Sequence, residues 1–233
     1  DFQDEKRLYL VNELVQGGEL FTWILRLGKF DSTAARFTAA CVMLAFTYLH
    51  SKKIVLRSLK PEDVVYGVDG YVKLVDVGLA KRAFSKCYTV CGTPEYIAPE
   101  MLQGDGYAKA VDWWTLGILV YEILVGHPPF TDENVEVVYK KIMDGKVVFP
   151  KNVAVQKPVK AVVNGLLRKD VDKRWDGTQL KKCAWCKDID WDGMLTKSVP
   201  APFKIDVEGP DDVQHFKFPE DSADEAPEVD AAV

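Results

Sequence analysis

Three short motifs follow one another in the middle of the chain, and their order restricts the fold more than any other feature. They are Leu56-Arg57-Ser58-Leu59-Lys60-Pro61-Glu62-Asp63, then Asp76-Val77-Gly78, then Ala98-Pro99-Glu100. Between the first two lie short apolar runs near 64–66 and 71–75, joined by Asp69-Gly70, which is typical of a tight turn. We therefore expect a small β-hairpin that carries the first two motifs.

Helical periodicity dominates the rest of the chain. We expect helices over 19–27, from the N-cap Asp31 to His50, over 133–143, over 157–167 and over 178–187. Val111–Val125 is apolar nearly all round, which predicts a helix at the centre of the domain. Leu8–Val11 predicts a buried strand, and 76–110 predicts loops. In the long helix the expected buried face consists of Phe37, Cys41, Leu44, Ala45, Tyr48 and Leu49.

Charge and cysteine content narrow the class of protein. Residues 205–233 hold ten acidic side chains and one lysine, and this predicts a solvated, disordered end after about residue 221. The rest has no basic stripe with interleaved aromatics, which argues against nucleic acid as a partner. No apolar run approaches the roughly 20 residues of a membrane span. An odd number of cysteines, five, favours a reducing, cytoplasmic location.

Together, the motifs resemble the catalytic region of the protein kinases. Leu56–Asp63 resembles the catalytic loop H/Y-R-D-L-K-P-E-N, 76–78 the metal-binding D-F-G, and 98–100 the A-P-E motif. Thr89–Ile97 and Asp112-Trp113-Trp114 resemble the AGC group of serine/threonine kinases. Within this group the chain most resembles the cGMP-dependent protein kinases, and it also resembles the cAMP-dependent enzymes. The segments similar to them are Gly17–Leu20, Asp31–Phe37, Tyr48–Lys52 and Phe218–Asp221.

The resemblance implies a protein-kinase-like fold reduced to its mainly α-helical C-lobe with a small β-hairpin. Residues 1–15 would be the last N-lobe strands and the hinge, 16–198 the C-lobe, and 199–233 an extended AGC-type C-terminal tail. The chain contains no G-x-G-x-x-G loop and no upstream strand lysine to hold nucleotide phosphates. We therefore expect ATP with Mg²⁺ to be held from one side, or no cofactor to bind.

The resemblance also implies catalytic roles and one departure from them. Lys60 stands where kinases contact the transferred phosphate, and Asp63 and Asp76 where they hold Mg²⁺. Ser58 stands where kinases have the aspartate that accepts the substrate's proton. Because a serine hydroxyl is not deprotonated near neutral pH, we expect the general-base contribution of about 10²–10⁴-fold to be lost.

Further residues match binding and structural positions of the family. A nucleotide would meet Glu13, Val15, Glu19, Val65 and Asp76; a substrate with upstream arginines would meet Glu19, Glu62 and Glu122 and, around its target residue, Val90, Pro94 and Ile97. Thr89 matches the activating phosphothreonine, with Arg57 and Lys81 as phosphate partners, and Glu100, Asp112 and Arg174 match structural positions. Alternatively, Glu62 caps a loop, Glu122 is a satisfied core carboxylate and Thr89 is unmodified.

Three functions stay open at this stage. The first is a pseudokinase that binds a protein partner or an arginine-containing peptide as a regulatory or scaffold module. An upstream cyclic-nucleotide-binding domain is compatible with this function. The second is an active serine/threonine kinase in which Asp63 or a water replaces the base. The third is a structural subunit of a larger assembly.

Cys183-Ala184-Trp185-Cys186 has the spacing of a zinc-binding pair, but no second ligand pair follows it, so we interpret both thiols as core residues.

Overall fold

The structure is a computed structural model that describes residues 2–216; the stretch expected to be disordered after about 221 lies outside the described residues. Within this part the chain forms eight α-helices and three two-stranded antiparallel sheets, which confirms the mainly helical fold with a small hairpin. The helices are α1 (Leu20–Leu27), α2 (Ser32–Ser51), α3 (Pro99–Gln103), α4 (Ala110–Val125), α5 (Val135–Asp144), α6 (Lys157–Leu166), α7 (Gly177–Lys182) and α8 (Trp191–Thr196). The sheets pair β1 (Phe2–Gln3) with β2 (Leu8–Tyr9), β3 (Ile54–Val55) with β6 (Lys81–Arg82), and β4 (Val64–Tyr66) with β5 (Val72–Leu74).

Helix α4 is the centre of the core, as its nearly uniform apolar composition predicts. Its side chains are buried without interruption from Val111 to Leu124. At Gly117 a Cβ atom would lie 2.7 Å from the Leu167 side chain and 2.8 Å from that of Leu166, so the glycine allows α6 to pack directly against α4. The helix ends at Gly126, whose left-handed backbone (φ 95°) places its N–H on the Glu122 carbonyl.

Helix α2 begins where the sequence predicts but buries a different face. The Asp31 carboxylate caps it by accepting from the N–H groups of Thr33 at 2.7 Å and Ala34 at 2.9 Å. The expected face is wrong toward the C-terminus, where Tyr48 is 63% exposed. The helix packs on two sides, so a single stripe does not describe it. One side joins the main core and the other packs on Tyr71 and Met194; the buried side chains are Ala34, Ala35, Phe37, Thr38, Ala39, Ala40, Val42, Met43 and Phe46.

Among the described residues, α2 is also the one helix long and apolar enough to cross a membrane. Of the relevant stretch, however, 56% is buried inside the protein. Burial of this kind is typical of the core helix of a folded domain, and the same length and composition occur in such helices.

Three further sequence expectations are wrong. Leu8–Val11 is not buried, since Leu8, Leu10 and Val11 are 65%, 68% and 77% exposed, and the only strand beside it in the described part is the two-residue β1. The helix expected over 178–187 stops at Lys182, because Cys183 turns to an extended conformation (φ −71°, ψ 156°). The loops of 76–110 contain β6 and α3, whose short lengths leave no periodic signal.

The segment after α8 returns over the hairpin and holds it against the helices. The Tyr71 hydroxyl donates to the Val199 carbonyl at 2.6 Å, and the Phe203 ring meets the rings of Phe30 and Tyr66 edge-on. Its last described part packs the His215 ring beside Trp23 of α1. The hairpin that carries the first two motifs is therefore clamped from both sides.

Candidate functional site

The buried carboxylate of Asp112 anchors the loop of the first motif to the start of α4. One oxygen accepts from the Leu56 N–H at 3.0 Å and the other from the Arg57 N–H at 2.9 Å. His50 Nε2 lies 2.7 Å from the same carboxylate. Arg57 has φ 74°, a left-handed conformation that non-glycine residues rarely adopt. The two hydrogen bonds that Asp112 accepts hold the loop in this unfavourable conformation.

Four of the predicted catalytic and metal-binding residues line one cleft of about 200 Å³: Ser58, Lys60, Asp63 and Asp76. The hairpin brings them together, because in an antiparallel pair the residue before β4 and the residue after β5 lie at the same end. The Val75 N–H donates to the Asp63 carbonyl at 3.0 Å and fixes this end. The rest of the cleft wall is formed by Leu79, Gly92 and Thr93.

Ser58 is 8% exposed, and its hydroxyl has no hydrogen-bond partner in the part of the chain that the structure describes. A buried hydroxyl without a partner is unusual and costs about 1–3 kcal/mol. No carboxylate or imidazole lies within hydrogen-bonding distance of this hydroxyl among the described residues to take its proton. The hydroxyl is therefore neither a base nor an activated nucleophile.

Asp63 is almost fully buried, at 3% exposure, and its carboxylate accepts from the Lys60 N–H at 3.1 Å. Burial raises its pKa to about 7; the positive charge of Lys60 opposes the rise, and the negative charges of Asp76 and Glu62 add to it. Asp76 is exposed and accepts from the Gly78 N–H at 2.8 Å. The cleft therefore holds two carboxylates, and the charge of Asp76 disfavours that of Asp63.

This donor set fits Mg²⁺ that arrives with a nucleotide. Mg²⁺ in such sites is held by one or two carboxylates together with phosphate oxygens and water. Within residues 2–216 no group of three or more His, Cys, Asp or Glu side chains forms a metal-binding cluster. The two aspartates thus offer partial ligation, which suits a nucleotide-bound cation better than a resident metal.

Among the three carboxylates expected to receive substrate arginines, Glu62 acts on the other two. Burial raises the pKa of Glu122 to about 7, Tyr96 opposes this by donating its hydroxyl to the carboxylate, and Glu62 adds to the rise. Burial and Glu62 likewise raise the pKa of Glu19, against the charge of Lys60. None of the three takes part in an ion pair among residues 2–216. Within the described residues the three carboxylates therefore have no direct ion-pair partner, and Lys60 acts on Glu19 only from a greater distance.

The other expected nucleotide contacts lie outside the wall of the cleft. Glu13 is exposed and forms an ion pair with Lys73. Val15 and Val65 are buried, and Val65 pairs with Glu19 through an isolated β-bridge. Val15 and Val65 are therefore buried and form no part of the cleft wall.

Around Thr89 the structure brings together some of the expected residues. Thr89 is exposed, and its carbonyl accepts from the Tyr107 hydroxyl at 2.5 Å. Arg57 donates to that same hydroxyl at 3.2 Å and to the Leu79 carbonyl at 2.7 Å, whereas Lys81 lies exposed in β6. The role of Tyr107 was not predicted, because no local sequence pattern distinguishes a tyrosine whose hydroxyl links two loops.

The expected substrate platform is only partly accessible. Val90 is 50% exposed, whereas Ile97 is 3% exposed and belongs to the core. Pro94 begins a short 3₁₀ helix, Pro94–Tyr96, that places the Tyr96 hydroxyl on Glu122. Tyr96 was also missed, since its role depends on a residue distant in the sequence.

Glu100 and Arg174 form a bidentate ion pair with N–O distances of 2.5 and 2.8 Å. The side chains are 8% and 1% exposed, respectively. Arg174 also donates to the carbonyls of Ala110 at 3.0 Å and Arg168 at 2.9 Å, and its guanidinium lies over the Trp114 ring. One side chain thus joins α3, α4 and the loop after α6.

Comparison with known proteins agrees with this geometry. Residues 1–186 match the family described as protein kinase domain. The chain is 40% identical over 234 residues to the human "cAMP-dependent protein kinase catalytic subunit PRKX", covering 98% of this chain and 65% of the relative. It is 41% identical over 222 residues to the "cAMP-dependent protein kinase catalytic subunit" of Dictyostelium discoideum, covering 93% and 34%. The chain therefore spans about one third to two thirds of the length of these relatives.

Proposed function

The chain belongs to the protein kinase family, and from this premise we propose that it is the C-lobe of an AGC-type, cGMP-dependent-kinase-like pseudokinase. It acts as a regulatory or scaffold module that binds arginine-containing peptides and transfers phosphate poorly or not at all. The single observation that supports this is Ser58, whose unpartnered hydroxyl lines the cleft beside Lys60, Asp63 and Asp76.

Loss of the base removes one part of phosphoryl transfer and leaves the others. Lys60 supplies a positive charge for a phosphate, and Asp63 and Asp76 would hold Mg²⁺, which when bound neutralises charge on the phosphates. Binding and orientation are therefore retained in part. Without a carboxylate at position 58, the substrate hydroxyl keeps its proton, and the expected loss is about 10²–10⁴-fold.

The acidic cluster of Glu19, Glu62 and Glu122 supports the peptide-binding half of the proposal. Burial is the main cause of the raised pKa values of Glu19 and Glu122, and the negative charge of Glu62 adds to it; an arginine among these carboxylates would offset both effects by pairing with the charged forms. Because Glu122 has a pKa of about 7, its charge increases between about pH 6 and pH 8. Peptide affinity should rise over the same interval.

Calorimetry with a synthetic peptide carrying arginines upstream of a serine tests this. We expect Glu62→Gln to weaken binding about 10- to 100-fold, the value of about one hydrogen bond to a charged group. Glu133→Gln, an exposed carboxylate outside the cluster, is the matched control and should bind like wild type. No binding by wild type, or equal loss in both variants, would contradict the proposal.

A second function, an active serine/threonine kinase, is favoured by one observation. Asp63 lines the same cleft as Ser58, so a carboxylate lies beside the position of the missing base. In that case Asp63→Asn should abolish transfer. An unchanged transfer rate in this variant would exclude Asp63 as the base.

A further inference from the structure

Cys183 and Cys186 sit at the first and last positions of a β-turn that follows α7. The Cys186 N–H donates to the Cys183 carbonyl at 3.1 Å, which closes the turn. The Cα atoms at these two positions of a β-turn lie less than about 7 Å apart, and disulfides span about 4.4–6.8 Å. The turn therefore brings the two Cα atoms to about the separation that a disulfide spans, and both cysteines are free thiols here.

The two thiols differ in the way that a reactive pair requires. The hydrogen bond from the Cys186 thiol lowers the pKa of Cys183 to about 6; burial opposes this, and the N–H groups of Cys186 and Trp185 lower it further. The pKa of Cys186 is raised by the same contact with Cys183 and by burial. Cys183 is partly exposed and Cys186 is buried, so an oxidant in solution reaches Cys183 first.

We propose that Cys183 and Cys186 form a reversible disulfide, a redox modification site on the side of the domain formed by α2, α7 and α8. The oxidant is a low-molecular-weight disulfide such as glutathione disulfide. The Cys183 thiolate attacks one of its sulfurs and releases one thiolate. The Cys186 thiol then gives up its proton and attacks the Cys183 sulfur, releasing the second thiol. Two protein thiols are oxidised, and one small disulfide is reduced to two thiols.

The surroundings of the turn explain why oxidation would matter to the domain. Between the cysteines, Trp185 is buried and donates its indole N–H to the Ser32 hydroxyl at 3.1 Å, in the first turn of α2. Arg36 of α2 contacts the Trp185 carbonyl at 3.4 Å. A disulfide would therefore rigidify the turn that follows α7, and this turn contacts the beginning of α2 through Trp185.

The other thiols are less suited to this chemistry. Burial raises the pKa of Cys41 to about 11, and Cys87 is 2% exposed. Neither has a second cysteine three residues away, and the same holds for Cys91. Cys41 serves as an internal control, because it should keep its free thiol under conditions that oxidise the pair.

The sequence provides a direct readout on the unmodified protein. Trypsin cleaves after Lys182 and Lys187, so the peptide Cys183-Ala184-Trp185-Cys186-Lys187 contains both thiols and no other cysteine. Folded protein is equilibrated with mixtures of oxidised and reduced glutathione, alkylated, digested and analysed by mass spectrometry. We expect this peptide to lose two hydrogen atoms and escape alkylation, and dithiothreitol to reverse the change, while Cys41 keeps its free thiol in every mixture. Alkylation of both Cys183 and Cys186 in every mixture would overturn the proposal.

Two variants test the order of attack. Cys186→Ser should retain glutathione as a mixed disulfide on Cys183, because the second thiol is missing. Cys183→Ser should leave Cys186 unmodified. The reverse pattern would refute the assignment of Cys183 as the attacking thiol. Zn²⁺ bound tightly enough to protect both thiols of reduced wild type would also overturn it, in favour of a metal site.

Discussion

Removing one partner of the buried ion pair between Glu100 and Arg174 should destabilise the domain strongly. We consider Arg174→Met, which keeps an unbranched apolar stem and removes the charge. Glu100 would then be left as a buried, unpaired carboxylate, and the carbonyls of Ala110 and Arg168 would lose a donor. Breaking a buried pair in this way costs about 3–5 kcal/mol. For a domain of this size that corresponds to a fall of about 6–20 °C in the unfolding midpoint.

Thermal denaturation followed by circular dichroism measures the fall, and two further variants make the result specific. Lys173→Met removes the neighbouring exposed pair with Asp170 and should leave the midpoint almost unchanged. In the double variant Glu100→Met with Arg174→Met both charges are absent, so much of the loss should be recovered. Equal midpoints for Arg174→Met and Lys173→Met would refute the reasoning.

Two other perturbations have defined outcomes. Because the pKa of Glu122 is about 7 in the folded protein against 4.5 for the free side chain, the folded state binds more protons between these values, and the stability that Glu122 provides is lost as pH rises through about 7. Glu122→Gln should remove this loss. Urea unfolding at about pH 5 and about pH 8 should then give a smaller difference in the free energy of unfolding for the variant than for wild type. Asp112→Asn weakens the acceptor of two loop amides and should lower the unfolding free energy by about 1.5–3 kcal/mol in the same assay, and an unchanged value would contradict the anchoring role.

The sequence predicted the parts of the fold that local patterns determine. The cap at Asp31, the uniformly apolar α4 and the hairpin around Asp69-Gly70 each have a signal within a few residues. The predicted burial of Leu8–Val11 and the predicted buried face of α2 were wrong, because burial depends on which elements pack nearby. A short apolar run has the same composition whether or not something covers it.

Residue type and spacing were similarly informative for the site, and tertiary contacts were not foreseen. Ser58, Lys60, Asp63 and Asp76 line one cleft because the hairpin fixes where its two ends meet, and the roles assigned to them from the motifs stay predictions. The hydroxyls of Tyr96 and Tyr107 and the imidazole of His50 were missed, since each acts on a residue far away in the sequence. The raised pKa of Asp63 also depends on burial that only the folded chain defines.

The central claim is that Ser58 limits phosphate transfer, and Ser58→Asp tests it most directly. The natural protein that contains this chain is assayed with ATP, Mg²⁺ and an arginine-containing serine peptide. Wild type should be near background and Ser58→Asp faster, by up to about 10²–10⁴-fold, because a carboxylate now accepts the substrate's proton. Ser85→Asp, which adds the same charge at an exposed position outside the cleft, should stay at the wild-type rate. Wild-type transfer at about 1 s⁻¹ or faster, within the usual kinase range, would contradict the account.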